Sequence, residues 1–140
     1  MDRTPPISRS LLERLIADAA ASRNEICGLL LRARDGRIRA QACGNVHPTP
    51  AIRFEIDPAA LLAAHRAARG GGGAVIGNYH SHPSGDAMPS VTDAARAAAD
   101  GALWLIVGGD GEVRAWRAVS DGAMHGRFDP LNIVVDEACA

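Results

Sequence analysis

The stretch "HSHPSGDAMPSVTD", residues 80–93, decides how this chain is interpreted. It joins two histidines to a turn-rich segment, which leads to a serine and an aspartate three positions apart. Residues two apart in a β-strand point to the same face, so His80 and His82 present both imidazoles to one point. Imidazole is a common metal ligand, and a third ligand with a bound water completes a catalytic zinc site.

Asp93 has two interpretations. The order S-x-x-D ahead of an alanine-rich run is typical of a capping box, in which Asp93 accepts a hydrogen bond from the Ser90 backbone N–H. Alternatively, a carboxylate in the first turn of this helix can project back over the end of the histidine strand and bind a metal. The two roles would compete for one carboxylate: with Asp93 on a metal, Asp93 would be less free to fold back onto Ser90, and the Ser90 hydroxyl could then point into the site.

The rest of the chain predicts an α+β domain. Apolar spacing and capping signals predict helices over about 7–21, 58–69 and 90–100. Apolar or alternating runs predict strands within 25–31, 37–46, 52–56, 74–82, 103–109 and 112–119, and a further strand or a docked tail near the C-terminus. These elements predict a central mixed, largely antiparallel sheet flanked by helices.

Composition excludes several classes of function. The 140 residues fit one domain, and the net charge of −1 gives no electrostatic reason to expect nucleic-acid or membrane binding. The three cysteines, Cys27, Cys43 and Cys139, include no C-x-x-C pair, which argues against a disulfide framework or a cysteine zinc site. With no apolar run long enough for a membrane span, we expect a soluble cytoplasmic protein. All 15 basic side chains are arginine, so the chain has no lysine amine to serve as an isopeptide acceptor.

This stretch resembles the signature of the JAMM/MPN+ metalloproteases. Their pattern H-x-H-P, six residues, S-x-x-D is matched at every fixed position, by His80, His82, Pro83, Ser90 and Asp93. The family also places a glutamate on an upstream strand, where "NEICGLL" supplies Glu25. The resemblance covers most of the chain and implies a cytidine-deaminase-like MPN fold in a single domain, 1–140.

The resemblance also implies a chemistry. His80, His82 and Asp93 would hold one Zn²⁺ per chain, Glu25 would act as general acid and base, and Ser90 would donate a hydrogen bond to the oxyanion. The implied reaction is hydrolysis of a peptide or isopeptide bond after the C-terminal Gly-Gly of a ubiquitin-like or sulfur-carrier protein. The short connecting segments imply a compact prokaryotic member. The alternative is a non-catalytic MPN scaffold that binds a protein partner, although its usual mark, a lost ligand or glutamate, is absent.

The remaining histidines, cysteines and tryptophans carry weaker expectations. His47, His65 and His125 lack ligand partners at suitable spacing and are expected to be structural or on the surface. Cys27 would share a strand face with Glu25, so it either approaches the site or, as we favour, packs as a small buried thiol. Trp104 and Trp116 lie in apolar strands and are expected in the core.

Overall fold

The computed structural model describes residues 2–137, so the expectation for Cys139 lies outside the described residues. The elements are β1 (Ile7–Ser8), α1 (Arg9–Ala20), β2 (Cys27–Arg32), β3 (Ile38–Cys43), α2 (Pro58–Arg69), β4 (Ala74–His82), α3 (Val91–Arg96), β5 (Leu103–Gly108), β6 (Val113–Gly122), β7 (Gly126–Leu131) and β8 (Val135–Asp136). Within residues 2–137, no helix has the length and apolar character needed to cross a bilayer.

The predicted sheet is confirmed. Six strands pair in the order β3-β2-β4-β5-β6-β7, and every pair is antiparallel except the central β4 and β5. A second, two-stranded sheet pairs β1 with β8 in parallel, so the predicted C-terminal strand is present in β7 and β8. A parallel pair needs a crossover connection, and the turn-rich stretch with α3 supplies it between β4 and β5.

The first two helices each begin after a capping residue, and the Asp57-Pro58 start of the second was predicted. Ser8 caps α1, since its Oγ accepts a hydrogen bond from the Leu11 N–H at 3.1 Å, and the helix itself begins at Arg9 because Ile7 pairs with β8. Asp57 caps α2 in the same way, with Pro58 in its first turn. Local sequence therefore defines where both helices begin.

The third helix is shorter than predicted. It ends at Arg96 rather than near residue 100, since Ala97 already has extended backbone angles. The chain must return to the sheet: the Gly101 N–H donates to the Ala118 carbonyl at 2.9 Å, and the Ala118 N–H donates to Ala102 at 3.0 Å. Pairing with β6 therefore overrides the helical preference of the alanine-rich run.

The strand predicted over 52–56 is wrong. This segment is an irregular connection between β3 and α2, with one isolated bridge between Asn45 and Ile56. The Asn45 amide nitrogen donates to the Arg53 carbonyl at 3.0 Å, and its oxygen accepts from the Glu55 N–H at 3.1 Å. The asparagine thereby occupies backbone groups that a strand would use for pairing.

The two faces of the six-stranded sheet carry different cores, because side chains alternate along each strand. On the face covered by α1, here the α1 face, Leu105 packs in a cluster with Leu15 and Tyr79. On the other, here the aromatic face, Trp104 packs with Phe128 in a separate cluster. Both tryptophans are in the core as predicted, with Trp104 7% and Trp116 3% exposed.

Candidate metal centre

Strand register brings the predicted acidic residue to the histidines. Cys27 pairs with His80 across the antiparallel β2 and β4, so the extension of β2 toward its start carries Glu25 to the level of His82. Ser81, which faces away from the histidines, fixes this extension: its Oγ accepts from the Ile26 N–H at 2.9 Å. Glu25 therefore lies two residues ahead of a strand, not within it as expected.

Three side-chain atoms form a compact triangle at the end of β4. His80 Nε2 and His82 Nε2 are 3.1 Å apart, and Asp93 Oδ2 is 3.2 Å from each of them. Ligand atoms of a tetrahedral zinc site with bonds of about 2.0–2.1 Å are roughly 3.3–3.4 Å apart. The triangle is thus near the size that a zinc ion requires, and the three residues of the predicted ligand set lie together.

The His82 ring is oriented by a backbone carbonyl. Its Nδ1 lies 2.8 Å from the Asp86 carbonyl oxygen, which can only accept, so Nδ1 carries a proton and donates it. When the ring is neutral, its Nε2 lone pair faces His80 and Asp93. This arrangement is typical of metal-bound histidine, whose second nitrogen donates to a carbonyl or carboxylate.

The electrostatics of the triangle favour a cation. Burial raises the pKa of Asp93, but hydrogen bonds with His80 and His82 outweigh it and hold that pKa well below its ordinary value. Burial lowers the pKa of His82, while its hydrogen bonds to Asp93 and the Asp86 carbonyl raise it above its ordinary value overall. Burial lowers the pKa of His80. Charged Asp93 beside an available Nε2 lone pair thus provides suitable ligands for a divalent metal.

Asp93 folds back onto Ser90 while its carboxylate also faces the histidines, so the expectation that these two positions exclude each other is wrong. Asp93 Oδ2, the oxygen that faces both histidines, also accepts a hydrogen bond from the Ser90 N–H at 2.9 Å. A carboxylate has about four lone-pair positions, which is enough for a backbone donor and a metal together. The capping box positions the carboxylate over the end of β4.

Ser90 is a helix cap and not a freed hydroxyl, contrary to expectation. Its Oγ accepts a hydrogen bond from the Asp93 N–H at 2.9 Å. The hydroxyl proton is left for another acceptor, since a hydroxyl both accepts and donates. Ser90 lines a cleft of about 220 Å³ together with Glu25 and His82, so its position is compatible with the predicted role.

Glu25 lies beside the triangle as a second acidic group. A carboxylate oxygen of Glu25 lies within 4.8 Å of a ligand nitrogen of each of His80 and His82, so these three residues also form a group that could hold a metal ion. Burial, partly offset by the positive charge of His82, raises the pKa of Glu25 to about 7. A carboxyl group with this pKa can exchange a proton near neutral pH. The raised pKa of Glu25 and the lowered pKa of Asp93 are compatible with the predicted roles of Glu25 as acid or base and of Asp93 as ligand.

The connection between β3 and α2 contains residues that sequence reasoning missed. Asn45 donates to the Glu25 carbonyl at 2.9 Å and thereby fixes the backbone of the candidate base. Phe54 stacks on His80, and Arg96 on α3 donates to the Phe54 carbonyl at 2.5 Å. The available signals were an asparagine after Gly44 and an aromatic residue in a polar connection, and neither is specific.

The residues expected to be outside the site remain outside the triangle. The Cys27 thiol is buried and points toward the Cys43 and Gly44 carbonyls, at 3.8 and 3.7 Å, and burial raises its pKa to about 12. His125 donates to the Pro89 carbonyl at 3.0 Å, and His47 Nδ1 accepts from the Thr49 N–H, also at 3.0 Å. His65 is on the exposed surface of α2.

A larger cavity, about 640 Å³, lies near the starts of β4 and β5, where Asn78, Leu103 and Arg117 contribute to its lining. It contains neither the histidine pair nor the two carboxylates. We assign the chemistry to the smaller cleft because Glu25, His82 and Ser90 line it. Size alone does not identify a catalytic site.

A comparison with known protein families shows which family this chain belongs to. A family model described as prokaryotic homologs of the JAB domain matches residues 8–119. The chain belongs to the prokaryotic JAB-domain family. The predicted resemblance to JAMM/MPN+ proteins is thereby confirmed, and the β4–α3 unit of this JAB domain carries its histidines and Asp93.

Relatives of this JAB domain include named enzymes. A desampylase from Haloferax volcanii is 33% identical over 114 residues, 80% of this chain and 78% of the desampylase. A Thermus thermophilus protein named "probable TtuB-protein conjugate cleaving protease" is 47% identical over 49 residues, 35% of this chain and 33% of that protein. The solution structure of a Desulfitobacterium hafniense protein has a TM-score of 0.77 at 28% identity, covering 94% of this chain and 92% of that one.

Proposed function

We propose that this JAB domain is a zinc-dependent isopeptidase that hydrolyses the amide bond after the C-terminal Gly-Gly of a ubiquitin-like or sulfur-carrier protein. The observation that carries the proposal is the 3.1–3.2 Å triangle of His80 Nε2, His82 Nε2 and Asp93 Oδ2, with Glu25 beside it. The names of the two relatives, a desampylase and a conjugate cleaving protease, support the substrate class.

His80, His82 and Asp93 would hold one Zn²⁺, since two imidazoles and a carboxylate leave a fourth tetrahedral position open. When bound, the metal supplies a Lewis acid that polarises the scissile carbonyl and activates a water for attack. Asp93 contributes the single negative charge of this ligand set, and the Ser90 N–H keeps its carboxylate over β4.

Glu25 is proposed to move the proton. It would accept one proton from the attacking water and deliver it to the leaving nitrogen, so that the acyl product gains OH and the amine gains H. Its pKa of about 7, raised chiefly by burial, suits both half-steps near neutral pH. Asn45, which donates to the Glu25 carbonyl, keeps the backbone of the base in place.

Ser90 is proposed to stabilise the oxyanion. Its Oγ accepts from the Asp93 N–H, which leaves the hydroxyl proton to donate toward the carbonyl oxygen as that oxygen gains negative charge. Donors of this kind are worth about 3–4 kcal/mol in other hydrolases. The capping hydrogen bond therefore orients the Ser90 hydroxyl and leaves its proton available to donate.

The cleft at the site suits a substrate tail with little side-chain bulk. Its volume is about 220 Å³, and besides Glu25, His82 and Ser90 its lining consists of Ile52, Pro83 and the small residues Ala51, Ser84 and Gly85. A Gly-Gly tail can approach backbone and ligands closely because it has no Cβ atoms. The non-catalytic scaffold alternative gains no support, since the predicted base and ligands lie together.

The proposal is tested with a ubiquitin-like protein joined through its C-terminal Gly-Gly to a lysine of a carrier protein. We expect the zinc-loaded chain to release the modifier with a free Gly-Gly carboxylate, read by intact mass. A chelator should stop the reaction, and added zinc should restore it. His82→Ala should be inactive, whereas His65→Ala, which removes an exposed histidine of α2, should retain activity.

Two results would contradict the proposal. One is the absence of bound zinc in metal analysis, even after reconstitution. The other is a zinc-loaded chain that leaves both lysine-linked and peptide-linked Gly-Gly conjugates intact.

A further inference from the structure

The two histidines of the triangle are supported differently. His82 Nδ1 donates to the Asp86 carbonyl at 2.8 Å, the usual second bond of a metal-bound histidine. His80 is fully buried, and its Nδ1 has no hydrogen-bond partner among the residues that the structure describes. The Nδ1 side of the His80 ring is therefore not fixed by a hydrogen bond from a described residue, as that of His82 is.

Aromatic rings enclose His80 instead. The Phe54 ring stacks on it with 4.2 Å between centroids and 20° between planes. Trp104 meets it edge-on, at 5.7 Å and 87°, and Phe128 in turn holds Trp104 edge-on at 5.0 Å. Aromatic pairs in stacked or edge-on geometry contribute about 0.5–1.5 kcal/mol beyond their burial. Only Phe54 lies parallel to the imidazole, so it restricts tilting of that ring.

Arg96 fixes Phe54 in place. Its Nη1 donates to the Phe54 carbonyl at 2.5 Å, and its guanidinium carbon lies 6.0 Å from the Phe54 ring centroid. Arg96 lies three residues after Asp93, about one turn along α3. The helix that carries the Asp93 carboxylate thereby also holds the ring that packs on His80.

We infer that Phe54 is a positioning residue for His80. Its stacked ring does for His80 what the Asp86 carbonyl does for His82: it keeps Nε2 directed at the other two ligand atoms. Arg96 acts through Phe54 and couples the β3–α2 connection to α3. The inference rests on the proposed metal site, and it concerns only how that site is kept in shape.

The test compares zinc affinity among variants at position 54, measured by competition with a chromophoric chelator. We expect Phe54→Leu to bind zinc about 10–100-fold more weakly, the cost typical of removing a residue that orients a ligand. Phe54→Tyr retains an aromatic ring and should stay near wild type. The matched control is Phe128→Leu, the same substitution in the same aromatic cluster without contact to the histidine ring. It should lose more stability, because Phe128 is fully buried, yet keep its zinc affinity.

A second measurement needs no metal. Stacking at 4.2 Å shifts the His80 ring proton resonances upfield in the metal-free protein, and Phe54→Leu should remove that shift while Phe128→Leu retains it. Arg96→Gln, at an exposed position, should weaken zinc binding less than Phe54→Leu does and reduce the shift partly. If Phe54→Leu folds poorly, Arg96→Gln still tests the positioning role, because it changes an exposed residue that acts through Phe54.

The outcomes separate the two proposals. Unchanged zinc affinity and unchanged His80 resonances in Phe54→Leu would overturn the positioning role and leave the isopeptidase proposal intact. Equal loss of affinity in Phe54→Leu and Phe128→Leu would also overturn it, because general destabilisation would then explain both. A wild-type chain that fails to bind zinc would overturn both proposals.

Discussion

The two faces of the central sheet are built from alternate residues of the same strands and differ in kind. On the α1 face, Tyr79 packs among aliphatic side chains of α1 and β5 in an apolar cluster. On the aromatic face, the next residue, His80, lies beside Phe54, Trp104 and a carboxylate. Because side chains alternate along a strand, neighbouring residues of β4 point to opposite faces: Tyr79 lies in the apolar core, and His80 lies at the candidate metal centre.

This difference has a practical meaning for mutations. A change on the α1 face should act on the free energy of unfolding and leave the site alone. A change at the triangle should act mainly on zinc binding or catalysis, because the apolar cluster of the α1 face does not include the triangle residues.

Glu25→Gln should give the largest effect on catalysis. Removing a general acid and base typically costs 10²–10⁴-fold, about 3–5 kcal/mol in the barrier. Zinc binding should persist, since Glu25 is not in the proposed ligand set. Cleavage rate and zinc content, measured on one preparation, check this. Full activity in the variant would exclude Glu25 as the base.

The same variant gives a pH test in the metal-free protein. Because burial raises the folded-state pKa of Glu25 from 4.5 to about 7, the folded protein holds this proton more tightly than the unfolded chain does. Wild type should therefore lose this contribution to stability as pH rises through the window, whereas Glu25→Gln has no such contribution to lose. Urea unfolding near pH 5 and near pH 8 should show the stability advantage of Glu25→Gln growing with pH. An advantage independent of pH would argue against a buried carboxylate.

Leu15→Ala should give the largest effect on stability. Leu15 is fully buried in the cluster of the α1 face. A leucine-to-alanine change in a core costs about 2–5 kcal/mol, since it removes apolar contacts and leaves a cavity. Denaturant unfolding measures the loss, and zinc affinity below the unfolding transition should be unchanged. A parallel loss of zinc affinity would show that the two faces are not independent.

Two substitutions at Asp93 separate its two roles. Asp93→Asn keeps an oxygen that can accept from the Ser90 N–H but loses the charge, whereas Asp93→Ala loses both. Both should weaken zinc binding by more than about 100-fold, beyond the usual cost of altering an orienting residue. Only Asp93→Ala should lose the capping contribution, about 1 kcal/mol of stability. Equal stability of the two variants would show that capping by Asp93 contributes little.

Cys27→Ala should give the smallest effect. Cys27 pairs with His80 in the strand register, but its thiol points to the carbonyls of Cys43 and Gly44. We expect cleavage within about twofold of wild type and a stability loss of about 1 kcal/mol, the centre of the distribution for single mutations. A large loss of activity with normal folding would place the thiol in the chemistry and weaken the distinction between packing and site residues.

Local signals predicted the framework of the site well. Strand 74–82 and helix 58–69 match β4 and α2, because one is a continuous apolar run between turns and the other begins at an Asp-Pro cap. The motif also predicted that the side chains of His80, His82 and Asp93 lie together, since its spacing reflects a strand end, a turn and a helix start.

The errors arose where contacts distant in sequence decide the structure. The alternating run at 52–56 reads as a strand, but the Asn45 side chain occupies its backbone groups. That wrong assignment also hid Phe54, whose contact with His80 depends on the irregular path of the connection. The role of Asp93 was misjudged for another reason: one carboxylate oxygen was assumed to serve a single partner, whereas it meets three.

The capping box has an evolutionary consequence. Because the Ser90 N–H already holds the Asp93 carboxylate, α3 needs no metal to begin where it does. A lineage that lost one histidine or Glu25 would therefore keep a folded domain with its outer surfaces unchanged. Natural selection could then retain that domain for contacts with other proteins, so one substitution separates a hydrolase from an inert descendant of the same shape.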